Sequence, residues 1–213
     1  MANRKIFAIG LPRCGTTSLH NLFTTLGLKS QHLNGGMLRN IGYGIFNYGP
    51  IKKYDAFSDS PFPYLWKDLF YLYPKAQFIL NTRSEDAWVK SIELLWKMNT
   101  GKRGNWRDEE KNVPYRNYLM MLYGTVDFEE NALRVAFRRH HSEIRNFFKN
   151  RNAEKFLEIN IEDDDQANAE KIAAFLGMSL PEGAKMPMQN IAGVDLYGKF
   201  EEILPVAQPV QTR

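Results

Sequence analysis

The sequence predicts a three-layer α/β domain with a central parallel sheet flanked by helices. Three observations lead there. The apolar run Ile6-Phe7-Ala8-Ile9 passes through a glycine loop, Gly10 to Ser18, into the helix-like stretch Leu19 to Leu26. Further apolar runs at 77–83 and 155–161 alternate with segments whose apolar residues recur at helical spacing. The chain has 213 residues, 44% of them hydrophobic and 24% charged, enough for one globular core. The expected organisation is a single domain over 1–213, with a helical insertion at 100–150 and an irregular C-terminal tail at 179–213.

The elements follow in order. Lys5 to Ile9 forms the first strand, and a helix from about Thr17 to Leu26 stops at Gly27, a residue suited to the left-handed helix end. Residues 34–50 hold five glycines and three aromatics without a clean period, so they read as irregular or as a short helix with a long loop that could line a pocket. A short strand at Tyr54 to Ser58 ends at Asp59-Ser60-Pro61. The next helix begins near Pro63, where proline is tolerated in a first turn, and runs to about Tyr73. After Pro74, Gln77 to Arg83 reads as a buried central strand. Ser84 is placed to cap the following helix, with Glu85 and Asp86 in its first turn and Trp88, Ile92 and Leu95 on its apolar face. Residues 100–114 are polar and form a loop, followed by a long helical region from about Tyr115 to Asn150 broken at Gly124. Lys155 to Ile161 is a further strand, and Asp165 to Leu176 a helix closed by Gly177.

Bulk properties exclude several classes. No stretch approaches the roughly 20 apolar residues of a membrane span, and the N-terminus runs into the first strand without a signal-peptide core, so the expected location is cytoplasmic. The single cysteine, Cys14, excludes an intrachain disulfide and a cysteine-rich metal site. The formal net charge is +4. The basic groups Lys102-Arg103 with Arg107, and Arg138-Arg139-His140-His141-Arg145, are short and read as a solvated loop or helix face, so no nucleic-acid partner is expected.

The chemistry begins in the loop. Glycines bracketing a helix N-terminus turn several backbone N–H groups toward one point, where the helix dipole also favours negative charge. The Walker loop is G-x-x-x-x-G-K-[ST]; Gly10 and Gly15 keep its spacing, but Thr16 stands where the lysine belongs. The result is a P-loop-like anion cradle without the kinase lysine. Ligands of open parallel sheets bind beyond the carboxyl ends of the strands, so Asp59-Ser60, Arg83-Ser84 and Glu162-Asp163 should face the same crevice. Ser91 lies eight residues after Arg83, ~10 Å along the helix from Ser84 at ~1.5 Å per residue. A guanidinium and a hydroxyl so placed suit a second phosphate.

Pro12-Arg13-Cys14-Gly15-Thr16-Thr17-Ser18 after a first strand, with Arg83 and Ser91 eight apart after a later one, resembles the PAPS-dependent sulfotransferase family. The likeness extends to Asp59-Ser60-Pro61, to Tyr73-Pro74-Lys75-Ala76-Gln77-Phe78-Ile79-Leu80 running into Arg83, and to Phe175-Leu176-Gly177 followed by Pro187 and Asn190. It covers residues 5–92 well and the rest loosely. The resemblance implies transfer of a sulfuryl group from 3′-phosphoadenosine 5′-phosphosulfate (PAPS) to a hydroxyl, less readily an amine, of a small-molecule or carbohydrate acceptor. The product nucleotide is then adenosine 3′,5′-bisphosphate, and no metal is expected. Arg13, Cys14, Gly15, Thr16, Thr17 and Ser18 would hold the 5′-phosphosulfate, and Arg83 and Ser91 the 3′-phosphate. Arg13 would neutralise charge growing on the departing phosphate; family members often carry lysine there, which can also give up a proton.

Relatives supply a general base, a histidine or an acid, from the segment after the second strand, where this chain has Asp59. A carboxyl partly buried beside Phe57, Phe62 and Tyr64 is expected to have a raised pKa, which suits a base. Equally, Asp59 suits a cap for the helix near Pro63 or a turn-ordering residue. His140 and His141 read as surface or helix-packing residues bordering an acceptor pocket, His20 as packing behind the loop, Glu162 to Asp165 as a helix cap, and His32 has no assigned role. Lys102-Arg103-Gly104 is similar to the basic glycine segment that many relatives use on the 3′-phosphate, yet it comes mid-chain, so residues 100–114 are read as a lid over the acceptor. Aromatics within 43–48, 57–66 and 106–123 suit an apolar or sugar-stacking pocket, and equally a core. The alternatives are a P-loop kinase-like phosphotransferase, which Thr16 disfavours, and a non-catalytic nucleotide-binding module. Acceptor identity and oligomeric state are not encoded in any of these motifs.

Overall fold

The structure is a computed structural model that describes residues 4–98, 112–149 and 151–186. Lys102, Arg103, Trp106, Arg107, Pro187, Asn190 and the tail from 187 onward lie outside the described residues. The sheet comprises β1 (Ile6–Ala8), β2 (Ser30–His32), β3 (Ala56–Ser58), β4 (Gln77–Thr82) and β5 (Phe156–Asn160) in the order β2-β3-β1-β4-β5. Every pairing is parallel; Ile6 stands opposite Ala56 on one side and Gln77 on the other.

Alternation along the strands builds two cores. Ile6, Ala8, Ala56, Ile79 and Ile159 face α1 (Thr16–Thr25) and α7 (Asp165–Leu176), which add Leu19, Leu22, Phe23, Ile172 and Leu176. Phe7, Ile9, Phe57, Phe78 and Leu80 face the other way. There α2 (Gly35–Gly42), α3 (Phe62–Leu72), α4 (Glu85–Met98), α5 (Val113–Tyr123) and α6 (Glu130–Lys149) cover them. Phe7 stacks on Phe57 with centroids 5.1 Å apart, and Phe57 meets Phe62 at 4.9 Å. Such pairs add about 0.5–1.5 kcal/mol beyond burial, fixing β1 against β3 and α3. The expected helices at 165–176, 85–98 and either side of Gly124 are present. One element differs from expectation. β2 is three polar, half-buried residues with no hydrophobic period to betray it. The glycine-rich 34–50 stretch takes the second of its two expected forms, a short helix with a loop, because Asn34 caps α2, accepting from Met37 N–H at 2.9 Å.

The strand order positions the site. The chain leaves β1 for β2, passing β3, and leaves β3 for β4, passing β1, so neighbouring strands send their connections in opposite directions. That divergence opens a crevice at the carboxyl ends of β1 and β3. Behind it, α6 is tied to β1 by His140, whose Nε2 lies 2.7 Å from the Ile9 carbonyl. A carbonyl only accepts, so Nε2 carries the proton.

Burial, and next the neighbouring His141, push the His140 pKa down from 6.5 to about 3. The folded protein therefore holds this ring neutral at a pH where the unfolded chain protonates it. Its stabilising contribution is complete above about 6.5 and shrinks as pH falls from there toward about 3, with a limiting slope of ~1.4 kcal/mol per pH unit. Urea unfolding between pH 7 and pH 5 should show this fall, and His140→Gln, which keeps a donor for Ile9, should flatten it.

Candidate functional site

The loop after β1 is held by its carbonyls. His140 donates to Ile9 O, Trp88 Nε1 to Pro12 O at 2.9 Å, and Asn81 Nδ2 to Cys14 O at 2.7 Å. Arg83 Nη1 reaches Arg13 O at 3.4 Å, and Cys14 N–H closes onto Leu11 O at 3.1 Å. Asn81 also accepts from Gly10 N–H at 3.0 Å through Oδ1, so one buried amide pins both ends of the turn. Gly10 permits this: a Cβ there would lie 1.9 Å from Asn81 O. Gly15 sits at φ 75 and leads into α1, which has no side-chain cap. With carbonyls turned aside and the first-turn amides of α1 uncapped by any side chain, the loop presents donors to one point. Cys14 takes part through its backbone; burial pushes its thiol pKa up, which keeps it protonated and inert.

On one side of the loop stand the cations. Arg13, at φ 73, donates Nε–H to Ser91 Oγ at 2.9 Å, so the guanidinium expected at the reacting end points here toward the serine expected at the other end. Arg83 lies beside them, with Nη2 3.5 Å from Glu162 Oε1 and a buried Nε that has no hydrogen-bond partner among the described residues. A five-donor guanidinium held by contacts of 3.4 and 3.5 Å keeps capacity for an anion. Glu162 also accepts from Ser84 N–H at 2.8 Å and Ser84 Oγ at 3.0 Å. The expected cap function of the acidic run falls to Asp164, which accepts from Ala167 N–H at 2.8 Å, while Glu162 bridges to α4.

On the other side, Thr16 donates its hydroxyl to Asp59 Oδ2 at 2.6 Å, and Ser60 N–H donates to Asp59 Oδ1 at 2.6 Å. His32, at the end of β2, places Nε2 3.3 Å from Thr16 Oγ1, 3.2 Å from Thr17 Oγ1 and 3.3 Å from Asp59 Oδ2. The expectation of a raised Asp59 pKa is overturned. Burial pushes it up, but hydrogen bonds and charge from His32, Thr16 and Ser60 outweigh that and hold it at about 2. Its side chain does not cap α3 either. Arg13, Leu33 and Asp59, which follow β1, β2 and β3, all take left-handed φ values (73, 56 and 68), a conformation that costs non-glycine residues energy and clusters at functional sites. His20 bonds Ser30 Oγ at 2.9 Å behind His32. A sequence reading passes over His32 because it stands in a polar strand too short to show a period; the only available signal was its position at a strand's carboxyl end. Asn81, read as an ordinary strand residue, was legible only as a buried polar residue in an apolar run.

Against α3, the faces of α5 and α6 form a groove of about 430 Å³ lined by Phe46, Tyr64, Trp66, Met121, Leu122 and His140 among others. His141, bonded to Thr82 Oγ1 at 2.8 Å, is packed inside, as expected for a helix-packing residue.

A family model described as the sulfotransferase domain matches residues 49–194. The chain belongs to the sulfotransferase family. That match begins after the glycine loop, so the roles of 10–18 rest on their geometry. The Ava biosynthesis cluster protein M of Aspergillus versicolor is 29% identical over a match spanning 42% of this chain and 42% of that protein, so the chain spans less than half of that relative's length. The solved sulfotransferase from Alicyclobacillus acidocaldarius superposes with a TM-score of 0.58 at 14% identity, covering 89% of this chain and 87% of that one, a likeness of fold. Among the described residues of this chain, no helix is long and apolar enough to cross a membrane.

Asn81→Ala removes the acceptor of Gly10 N–H and the donor to Cys14 O inside a fully buried contact. The expected loss is about 2–4 kcal/mol in urea unfolding, together with weakened anion binding at the loop by calorimetry.

Proposed function

We propose that the chain transfers a sulfuryl group from PAPS to a hydroxyl of a small-molecule or carbohydrate acceptor. One observation carries the reading: Arg13 on the loop, Ser91 two turns into α4 and Arg83 at the end of β4 meet in a single cluster. A phosphate cradle at a helix N-terminus with a second cationic site beside it suits a nucleotide phosphorylated at both ends, and the unmet Arg83 Nε fits such an anion. Thr16 in place of the Walker lysine disfavours ATP chemistry.

The donor, when bound, supplies an activated sulfuryl group whose departure leaves negative charge on a phosphate oxygen. The residues then divide the work. The α1 amides, Thr17 and Ser18 bind and orient the 5′ end, Arg13 stabilises the developing charge, and Arg83 with Ser91 holds the 3′-phosphate. Arg13 stays charged throughout, so it acts as an electrostatic group. With its carboxyl near 2, Asp59 is a weak proton acceptor. His32 takes the acceptor's proton instead, and Asp59, 3.3 Å from its Nε2, stabilises the imidazolium while the Thr16 hydroxyl orients the carboxylate. The groove between α3 and the helices α5 and α6 of the 100–150 insertion is the acceptor side of a single domain.

Titration tests the donor. Adenosine 3′,5′-bisphosphate should bind more tightly than ADP or ATP, unchanged when magnesium is removed; tighter, magnesium-dependent ATP binding would make the chain a kinase-like enzyme, and binding without sulfuryl transfer an inert module. His32→Ala should lower kcat by about 10²–10⁴ while leaving bisphosphate affinity near wild type. Asp59→Asn should lower it too and keep binding intact; normal turnover in that variant removes Asp59 from the mechanism.

A further inference from the structure

The phosphate side of this site contains a carboxylate that the reaction does not use. Glu162, in the loop after β5, accepts from Ser84 N–H at 2.8 Å and Ser84 Oγ at 3.0 Å, and lies 3.5 Å from Arg83 Nη2. A helix-terminal amide, a hydroxyl and a guanidinium are the partners a phosphate takes. Burial pushes the Glu162 carboxyl up, but the Ser84 hydrogen bonds and Arg83 outweigh it and hold it below the usual range, so the group is anionic near neutral pH. Nor is it needed at α7, which Asp164 caps.

We propose that Glu162 is an internal counter-anion of Arg83 that lowers the affinity of the site for the nucleotide's 3′-phosphate. This rests on the reading that Arg83 and Ser91 receive that phosphate. Without nucleotide, the carboxylate keeps Arg83 paired. With nucleotide, phosphate and carboxylate share one guanidinium, and two anions at that separation repel, moderated by the side chains' partial exposure of 24% and 36%. Donor and product carry the same 3′-phosphate, so the repulsion weakens both alike. It lowers no chemical barrier and instead speeds release of the product nucleotide.

Calorimetric titration of wild type and Glu162→Gln with adenosine 3′,5′-bisphosphate, and with AMP as the ligand lacking the 3′-phosphate, tests this. Glutamine retains an acceptor for Ser84 and loses only the charge. The variant should bind the bisphosphate about tenfold more tightly and AMP within about twofold of wild type. Unchanged or weaker bisphosphate binding makes Glu162 a support for Arg83 and overturns the proposal, as does an equal gain for both nucleotides. Glu162→Ala, read the same way, serves if the glutamine variant fails to fold. A wild type that does not prefer the bisphosphate over AMP removes the reading of Arg83 and Ser91 itself, a result distinguishable from failure of the Glu162 role alone.

Discussion

The site depends on how the carbonyls of the first loop are disposed of. A tight turn carries as many acceptors as donors, and an anion is repelled by the former. Here Ile9, Pro12, Arg13 and Cys14 each have their carbonyl engaged by a side chain from another element: His140 of α6, Trp88 of α4, Arg83 at the end of β4, and Asn81 within β4. Those elements are themselves fixed by the core, where Trp88 and Phe78 are fully buried. The electrostatic sign of the loop is thus a product of tertiary packing, and the glycines only make room for it.

Charge is then sorted around this loop. Arg13, Arg83 and Ser91 gather on the α4 side, while Asp59, His32, Thr16 and Thr17 gather on the β2–β3 side. The separation matters because a carboxylate near the cations would weaken phosphate binding, and a cation near the imidazole would oppose its protonation. Asp59 is partly buried yet ionised, because three donors replace much of the water it has lost. Glu162 is a carboxylate on the cationic side, and it stands against Arg83 rather than against the loop.

Much of this was legible in the sequence wherever a residue's role is local. The glycine spacing, Arg83 with Ser91 eight residues on, and the helix ended at Gly177 follow from rules that act within a few positions. The alternation of apolar runs and helical periods likewise gave the parallel sheet. What was not legible acts across the chain. β2 consists of three polar residues and exists because β3 offers it a ladder, with Ser30 opposite Ala56 and His32 opposite Ser58. His32 could not be assigned without that strand. The sign of the Asp59 shift failed for a related reason: burial was foreseeable from its aromatic neighbours, but two of the three donors that reverse its effect come from residues 16 and 32, far off in sequence.

The shortness and polarity of β2 reach beyond the crevice. It is an edge of the sheet, with β3 on one side and no further strand beyond it among the described residues. A longer apolar strand there would invite another molecule to extend the ladder, covering the crevice that His32 borders. Ser30-Gln31-His32 is too brief and too polar to template such addition. Substitutions that make this strip more hydrophobic would turn a quiet edge into a sticky one.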